Sequence, residues 1–559
     1  MNKLLRNEKG IILIAATLSV VVVLGFSAAF FMRSVSEKRF VDVEKFNMQA
    51  EFLAEAGANH GLSELRERID TDLYARVSQI TNANTVRAYY TNKNALGFLR
   101  DYAYSSGDTQ FAIANGKATV SFSPLNLITA VSGTYTPEII ITSASNPENP
   151  SGSTFVFHYN YITRGTGTAT AITPNISKQI SLSGSFSVTV MPSSFANYAL
   201  FTINHTSPSG GLVWFTGNTN FFGPVHTNDR FSFANNPSGH FTDQVTQHLD
   251  TARFYNNNNY IYLDDDHNSN IDVPVFDEGF QRSVDEVPIG TINHDSMQTQ
   301  ALGTMSQPGS DGIYVPNNAG AVTGGIYVKG DVSDFQLGAD GSNNPQYTIT
   351  QGSTTKIITV NYGAKTTRVQ TVGGSTDTYS GLPDGNGDEG TIIYSENNIN
   401  QIHGVVQRNS KVTVASEEDV VITDHIRYQD YNVGPPVNAT GYNNMLGIIS
   451  WGGDVRIGRD APDNIEIHGI VMAPEGSFTV DDYRSRPSQG TATLLGGVVS
   501  KYYGPFGTFW GSWPISGYGR NFVYDARVLS GLIPPYFPTL TNFTSEQDGL
   551  DDRPTWRKN

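Results

Sequence analysis

Residues 11–31, IILIAATLSVVVVLGFSAAFF, run without one charge after a short polar start, MNKLLRNEKG. At about 1.5 Å per residue this stretch covers the roughly 30 Å hydrocarbon layer of a bilayer. It is longer than the apolar core of a secretory signal, and no small-residue cleavage site follows it. Beyond it, Phe46, Ala50, Leu53, Gly57, Gly61, Leu65, Ile69 and Leu73 recur at steps of three and four, as one face of an amphipathic helix does. Glu37, Asp42, Glu44, Glu51, Glu55, Glu64 and Glu67 fall largely off that face, and no proline occurs before Pro124. The pattern predicts one helix over residues 11–80, on the order of 100 Å long. Gly57 and Gly61 read as points of close helix packing.

From residue 81 the period changes to two. KATVSFSP, STFVFHYNYITR and KQISLSGSFSVTVMP alternate apolar and polar positions between Gly/Pro/Asn/Ser stretches, which predicts a small antiparallel β domain over residues 81–192. From residue 193 short apolar pieces are broken by polar corners, as in GGIYVKGDVSDFQL and LGIISWGGDVRIGRD. Two share a core, IHGVV at residues 402–406 and IHGIV at 467–471. Such units at intervals of about 20 to 35 residues predict a parallel β-helix-like solenoid over residues 193–538. A large β-sandwich is the competing arrangement. The ring-rich stretch at residues 502–538 is expected to cap the solenoid, and the polar tail at 539–559 to fray. The fold class is therefore α+β, mostly β.

Composition narrows the function. Hydrophobic residues are 38% and charged residues 16%, with 55 Gly, 27 Tyr and 30 Phe, a balance suited to β structure. The net charge of -16 excludes a basic nucleic-acid footprint. With no cysteine, disulfides, thiolate zinc sites and Cys nucleophiles are excluded.

The basic leader ending in Lys9-Gly10, the apolar run from Ile11, and Ala54-Glu55-Ala56-Gly57 on the following helix resemble a minor type IV prepilin of the PilX type or a pseudopilin. The resemblance covers about the first eighty residues. It implies a leader at residues 1–10, cleavage between Gly10 and Ile11 by a prepilin peptidase, and N-methylation of Ile11. It also implies a single pass through the inner membrane with a short cytoplasmic N-terminus, and β domains in the periplasm or outside the cell. Charge alone does not set this orientation, because Arg33, Lys38 and Arg39 lie on the far side. The implied partners are other pilin or minor pilin subunits and the inner-membrane assembly platform. Major pilins place a Glu at the fifth residue after the cut; here that residue is Ala15. Ala15 cannot form the ion pair with a neighbour's amine that the family uses, which argues against a bulk filament subunit. GPVHTND (residues 223–229), DVVITDHIRYQD (419–430) and GYGRNFVYDARVLSGLIPPYFP (517–538) resemble the large β domain of unknown function attached to such stalks in Gram-negative bacteria.

Other constellations are weaker. Asp264, Asp265 and Asp266 begin an acidic loop that could offer oxygens to calcium, and Asp384, Asn386 and Asp388 start a run like a calcium loop. The second lacks the expected Gly at the sixth place and Glu at the twelfth, and solvated turns explain both runs more simply. His403, His425 and His468 sit in comparable strand contexts, and Asp424-His425 and Asp481-Asp482 are acid–base candidates by residue type only. No nucleophile elbow, phosphate loop or zinc-protease helix motif is present. The expectation is a non-enzymatic filament subunit serving assembly, adhesion or tip capping, with no cofactor beyond the calcium candidates. A pseudopilin of a secretion system and a membrane-tethered glycan-binding or glycan-active β-helix are the alternatives, with a surface glycan or protein as ligand.

Overall fold

The computed structural model describes residues 4–80, 83–104, 110–126, 133–149, 154–170, 175–217, 219–234, 239–256, 259–263, 273–287, 294–385, 390–429, 442–510, 513–528, 532–550 and 554–558. One long N-terminal apolar helix precedes a chain that is mostly β. The chain forms two compact units, Met1–Met191 with Asn542–Asn559, and Pro192–Thr541.

In the first unit, helix α1 (Leu4–Glu67) is uninterrupted because nothing in it breaks the ladder of backbone hydrogen bonds. It continues through a π-helical turn, Arg68–Leu73, and a last α turn, Tyr74–Val77. Ala50, Leu53, Ala54, Ala58, Leu62, Leu65, Ile69, Leu73 and Val77 are buried, so the three-and-four spacing does mark the packed face. That face meets an antiparallel sheet of β1 (Phe111–Ala114), β2 (Lys117–Ser121), β3 (Leu125–Asn126), β4 (Gly133–Ser143), β5 (Phe155–Ala169) and β6 (Ile176–Ser194).

Strand β5 explains the fit. Its inward positions run Phe155, Phe157, Tyr159, Tyr161, Thr163, Gly165, Gly167, Ala169, from large to small. At the large end Phe157 stacks on Phe98 with ring centres 4.4 Å apart, and Tyr159 Oη donates to Ala95 O at 2.9 Å. Each buried ring there contributes about 1.5–3 kcal/mol. At the small end α1 closes onto the backbone. A Cβ on Gly165 would lie 1.9 Å from Ala54 O, and one on Gly167 2.2 Å from Ala50 O.

Two expectations for this unit are corrected. Helices Ala83–Thr91 and Ala95–Leu99 and a π-helical turn, Arg100–Tyr104, stand where a β region was expected from residue 81. Asn94 caps the second of these by accepting from Gly97 N at 3.1 Å. The polar tail does not fray: Thr539–Asp548 and Thr555–Lys558 both pair with β6, and Phe543 and Leu550 are buried.

The second unit is ordered by parallel ladders. In one, Ile326, Ile393, Val414, Ile448, Val471, Val498, Leu200, Val225, Val245 and Phe280 are successive register partners. In a second, Phe335, Ile402, Ile422, Ile457 and Val480 follow one another. In a third, Ile426, Ile467, Leu494, Phe522, Phe221, Phe241 and Phe276 do so. Like residues stack on like, which gives one continuous apolar core. The glycine of IHGIV holds a close approach inside strand Glu466–Val480: Gly469 (φ +156°) is the register partner of Gly496 (φ +144°), and a Cβ on Gly496 would lie 2.0 Å from Gly469 O.

Order along the ladder is not order along the chain. Strand Ser488–Tyr502 docks on Leu200–Asn204, so the second half of the unit meets the first at the ladder's middle. Strand Trp513–Tyr524 lies between Ser488–Tyr502 and Thr219–Phe222. Its Tyr518 and Phe522 are buried inside the unit, which corrects the expected aromatic end cap. At the Ile326 end it is helix His294–Leu302 that packs, burying Met297 and Ala301. An antiparallel meander, Pro345–Gln351, Thr354–Asn361, Thr366–Thr371 and Thr376–Ser380, interrupts the repeat and accounts for its uneven spacing.

Candidate functional site

Helix α1 is two different objects along its length. Every residue from 10 to 41 is exposed, whereas full burial begins at Ala50. It is the one helix among the described residues that is long and apolar enough to cross a membrane. Within the apolar run, Thr17 Oγ1 donates to Leu13 O at 2.7 Å, which satisfies the hydroxyl inside the helix. Beyond the run, Arg33 Nε pairs with Glu37 at 3.0 Å.

Gly10, Ile11 and Ala15 all lie on this bare part, and the bond between Gly10 and Ile11 is inside α1. Nothing comes within 4 Å of where a Gly10 side chain would start. Ala15, one turn after Ile11, offers no ionisable group. Exposed apolar side chains continue past the charge-free run, with Phe40, Val41, Met48 and Phe52 at 72%, 63%, 52% and 64% exposure. Val41, Met48 and Phe52 fall on one face, opposite Ala50, Ala54 and Ala58.

Among the described residues the other candidates do not assemble. Asp264, Asp265, Asp266, Asn386 and Asp388 lie outside the described residues. Asp384 is described, and its carbonyl oxygen accepts from Tyr536 Oη at 2.8 Å. Among the described residues no group of three or more His, Asp or Glu is placed to hold a metal. The three histidines serve separate partners. His403 Nε2 is 3.0 Å from Asp334, His425 Nδ1 accepts from Glu466 N at 2.9 Å, and His468 Nδ1 accepts from Tyr428 N at 2.9 Å. Burial lowers the His468 pKa to about 4, which keeps that ring neutral. Asp481 pairs with Arg456 at 3.0 Å and Asp482 with Arg459, so both carboxylates tie neighbouring turns of chain together. Sequence reasoning gives Arg520 no role and groups Trp510 and Trp513 with the aromatic cap; the structure buries the first and leaves the two indoles exposed.

A domain of unknown function, DUF4900, matches residues 154–248, a stretch that includes GPVHTND. No curated protein and no solved structure matches the chain.

Proposed function

We propose that this chain is a minor pilin-like structural subunit of a type IV pilus or related filament. Helix α1 holds it in the inner membrane with the short N-terminus in the cytoplasm, and the β regions stand on the periplasmic or extracellular side. The three parallel ladders support a parallel β-helix-like solenoid as the displayed part. In this reading the chain is not an enzyme; a prepilin peptidase cuts between Gly10 and Ile11, and the stalk then packs among other pilin helices.

One observation carries the reading. The open apolar surface of α1 extends from Ile11 to Phe52, on the order of 60 Å, twice what a bilayer needs. A plain anchor has no use for Val41, Met48 and Phe52 beyond the lipid. A helix that mates with other helices does, because that face is then buried. Ala15 fits a subunit recruited by packing and not by an amine–carboxylate pair.

Mass spectrometry of the mature protein is expected to find Ile11 as a methylated first residue. An intact Met1 overturns the reading. Because the chain has no cysteine, Met48→Cys and Phe52→Cys place single cross-linking probes on the open face. Cross-links to pilin subunits are expected, and their absence from filament and assembly-complex fractions also overturns it.

A further inference from the structure

Strand Trp513–Tyr524 carries Arg520 into the interior of the second unit, where it is 5% exposed. Its guanidinium carbon lies 4.4 Å from the ring centres of both Tyr503 and Phe506. Nη2 donates to Gly504 O at 2.5 Å, while Nε has no acceptor. Among the described residues no carboxylate pairs with it, and burial lowers its pKa with only Tyr503 opposing. Arg527 shows the usual solution to the same problem. It is similarly buried, yet Asp525 takes it with both carboxylate oxygens, at 2.9 and 2.6 Å. A buried cation held between two rings without a counter-charge is a strained arrangement for a purely structural residue.

Arg520 also lines an open cleft of about 560 Å³. The lining joins rings from Trp214, Phe506 and Phe509 to polar groups from Asp454, Ser477 and Arg484. Asp454 is already engaged, since its Oδ1 accepts from Ser477 N and Oγ at 2.6 and 2.9 Å. Phe509 belongs to a hairpin whose next residues, Trp510 and Trp513, are cross-strand partners left 80% and 76% exposed. The cleft thus offers ring faces, hydroxyl-level polar groups and one deep cation lacking its anion.

We propose that this cleft binds an acidic saccharide, with a uronate carboxylate on Arg520 and the apolar face of the sugar ring against the aromatic lining. A planar guanidinium matches a carboxylate in two parallel hydrogen bonds. The lining sets two guanidinium groups, Arg484 and Arg520, against one carboxylate, Asp454, which suits a ligand with one negative charge, whereas a nucleic acid or polyphosphate asks for several cations. Sugars bring both CH faces for the rings and hydroxyls for Ser207 and Ser209 on the same lining. The proposal does not rest on the stalk entering a filament, so either can fail alone.

The test is calorimetric titration of the detergent-solubilised full chain with an aldobiouronate, a disaccharide with one uronate carboxylate, and with its methyl ester. The aldobiouronate binds, and the ester binds at least about tenfold more weakly, because the site then keeps an unmatched charge. Arg520→Gln removes that difference, and Phe509→Ala, on the half-buried lining, weakens both ligands several-fold at unchanged melting temperature. Equal binding of acid and ester overturns the assignment of Arg520. No binding of either overturns the site. Where Arg520→Gln does not fold, the acid-versus-ester comparison on the native chain and Phe509→Ala decide the question.

Discussion

The bare and packed halves of helix α1 are both apolar, yet they differ in side-chain size. The packed half presents Ala50, Ala54, Gly57, Ala58 and Gly61 to the sheet, and β5 answers with Gly165 and Gly167. The bare half presents Ile, Leu, Val and Phe along residues 11–31. Hydrophobicity alone would not tell the two apart. Small residues let two backbones meet and fix one geometry, because a close approach leaves no alternative packing. Large side chains hold the backbones apart and leave the mating geometry to whatever surrounds them, lipid or another helix.

The strongest way to break this comparison is Gly165→Val. The new side chain would begin 1.9 Å from Ala54 O, so backbone must move. The first unit is expected to lose at least about 4 kcal/mol and with it a cooperative unfolding transition. Limited proteolysis and thermal melting read the effect; native stability would show that the close approach is dispensable. Next comes Leu18→Lys in the bare half. It leaves the packed sheet untouched but adds about 2.5–3.5 kcal/mol to insertion, which alkaline extraction of membranes detects as protein released to the soluble fraction.

A smaller effect comes from Glu546, beside Asp70 and Leu73 in the first unit. Burial lifts its pKa from the ordinary 4.5 to about 7. The folded state therefore holds a proton that the unfolded chain releases between these values. Stability from this group is full below pH 4.5 and is lost as pH rises through 7. Glu546→Gln is expected to raise the melting temperature by about 2 °C at about pH 8 and to leave it unchanged at about pH 4.5. An equal shift at both pH values would point to packing and not to charge. The smallest change is Phe52→Ser. On the isolated chain it stays within about 0.5 kcal/mol, because the ring is 64% exposed, yet it lowers recovery in filament fractions. Unchanged recovery would remove the open face from the assembly surface.

The sequence announces whatever depends on local period. The charge-free run, the packed face from Ala50 to Leu73 and the alternation of β5 are all legible, since each follows from 3.6- or 2-residue repeats. Helix Ala83–Thr91 is not, because its Thr85, Val86, Tyr89 and Tyr90 favour strands by type. Packing of Val86, Tyr89 and Tyr90 into the core of the first unit overrides that preference. Nor is the interior place of Phe522 legible, which depends on pairing with Phe221 from the opposite end of the unit's sequence. Gly10, Ile11 and Ala15 are found by composition and resemblance. The cleft is not found, because Trp214 and Phe509 come together only through the ladder that joins the two halves of the second unit.

The entire second unit is spliced into the first, between β6 and the returning strands Thr539–Asp548 and Thr555–Lys558. A ribosome or secretion channel hands over the chain from its N-terminus, so β6 stays an open, sticky rim until residues 539–558 arrive. Leu200–Asn204 likewise waits for Ser488–Tyr502 before its ladder is closed. Delivery in this order leaves a long interval of exposed strand edges, which makes a chain halted before residue 539 prone to aggregate.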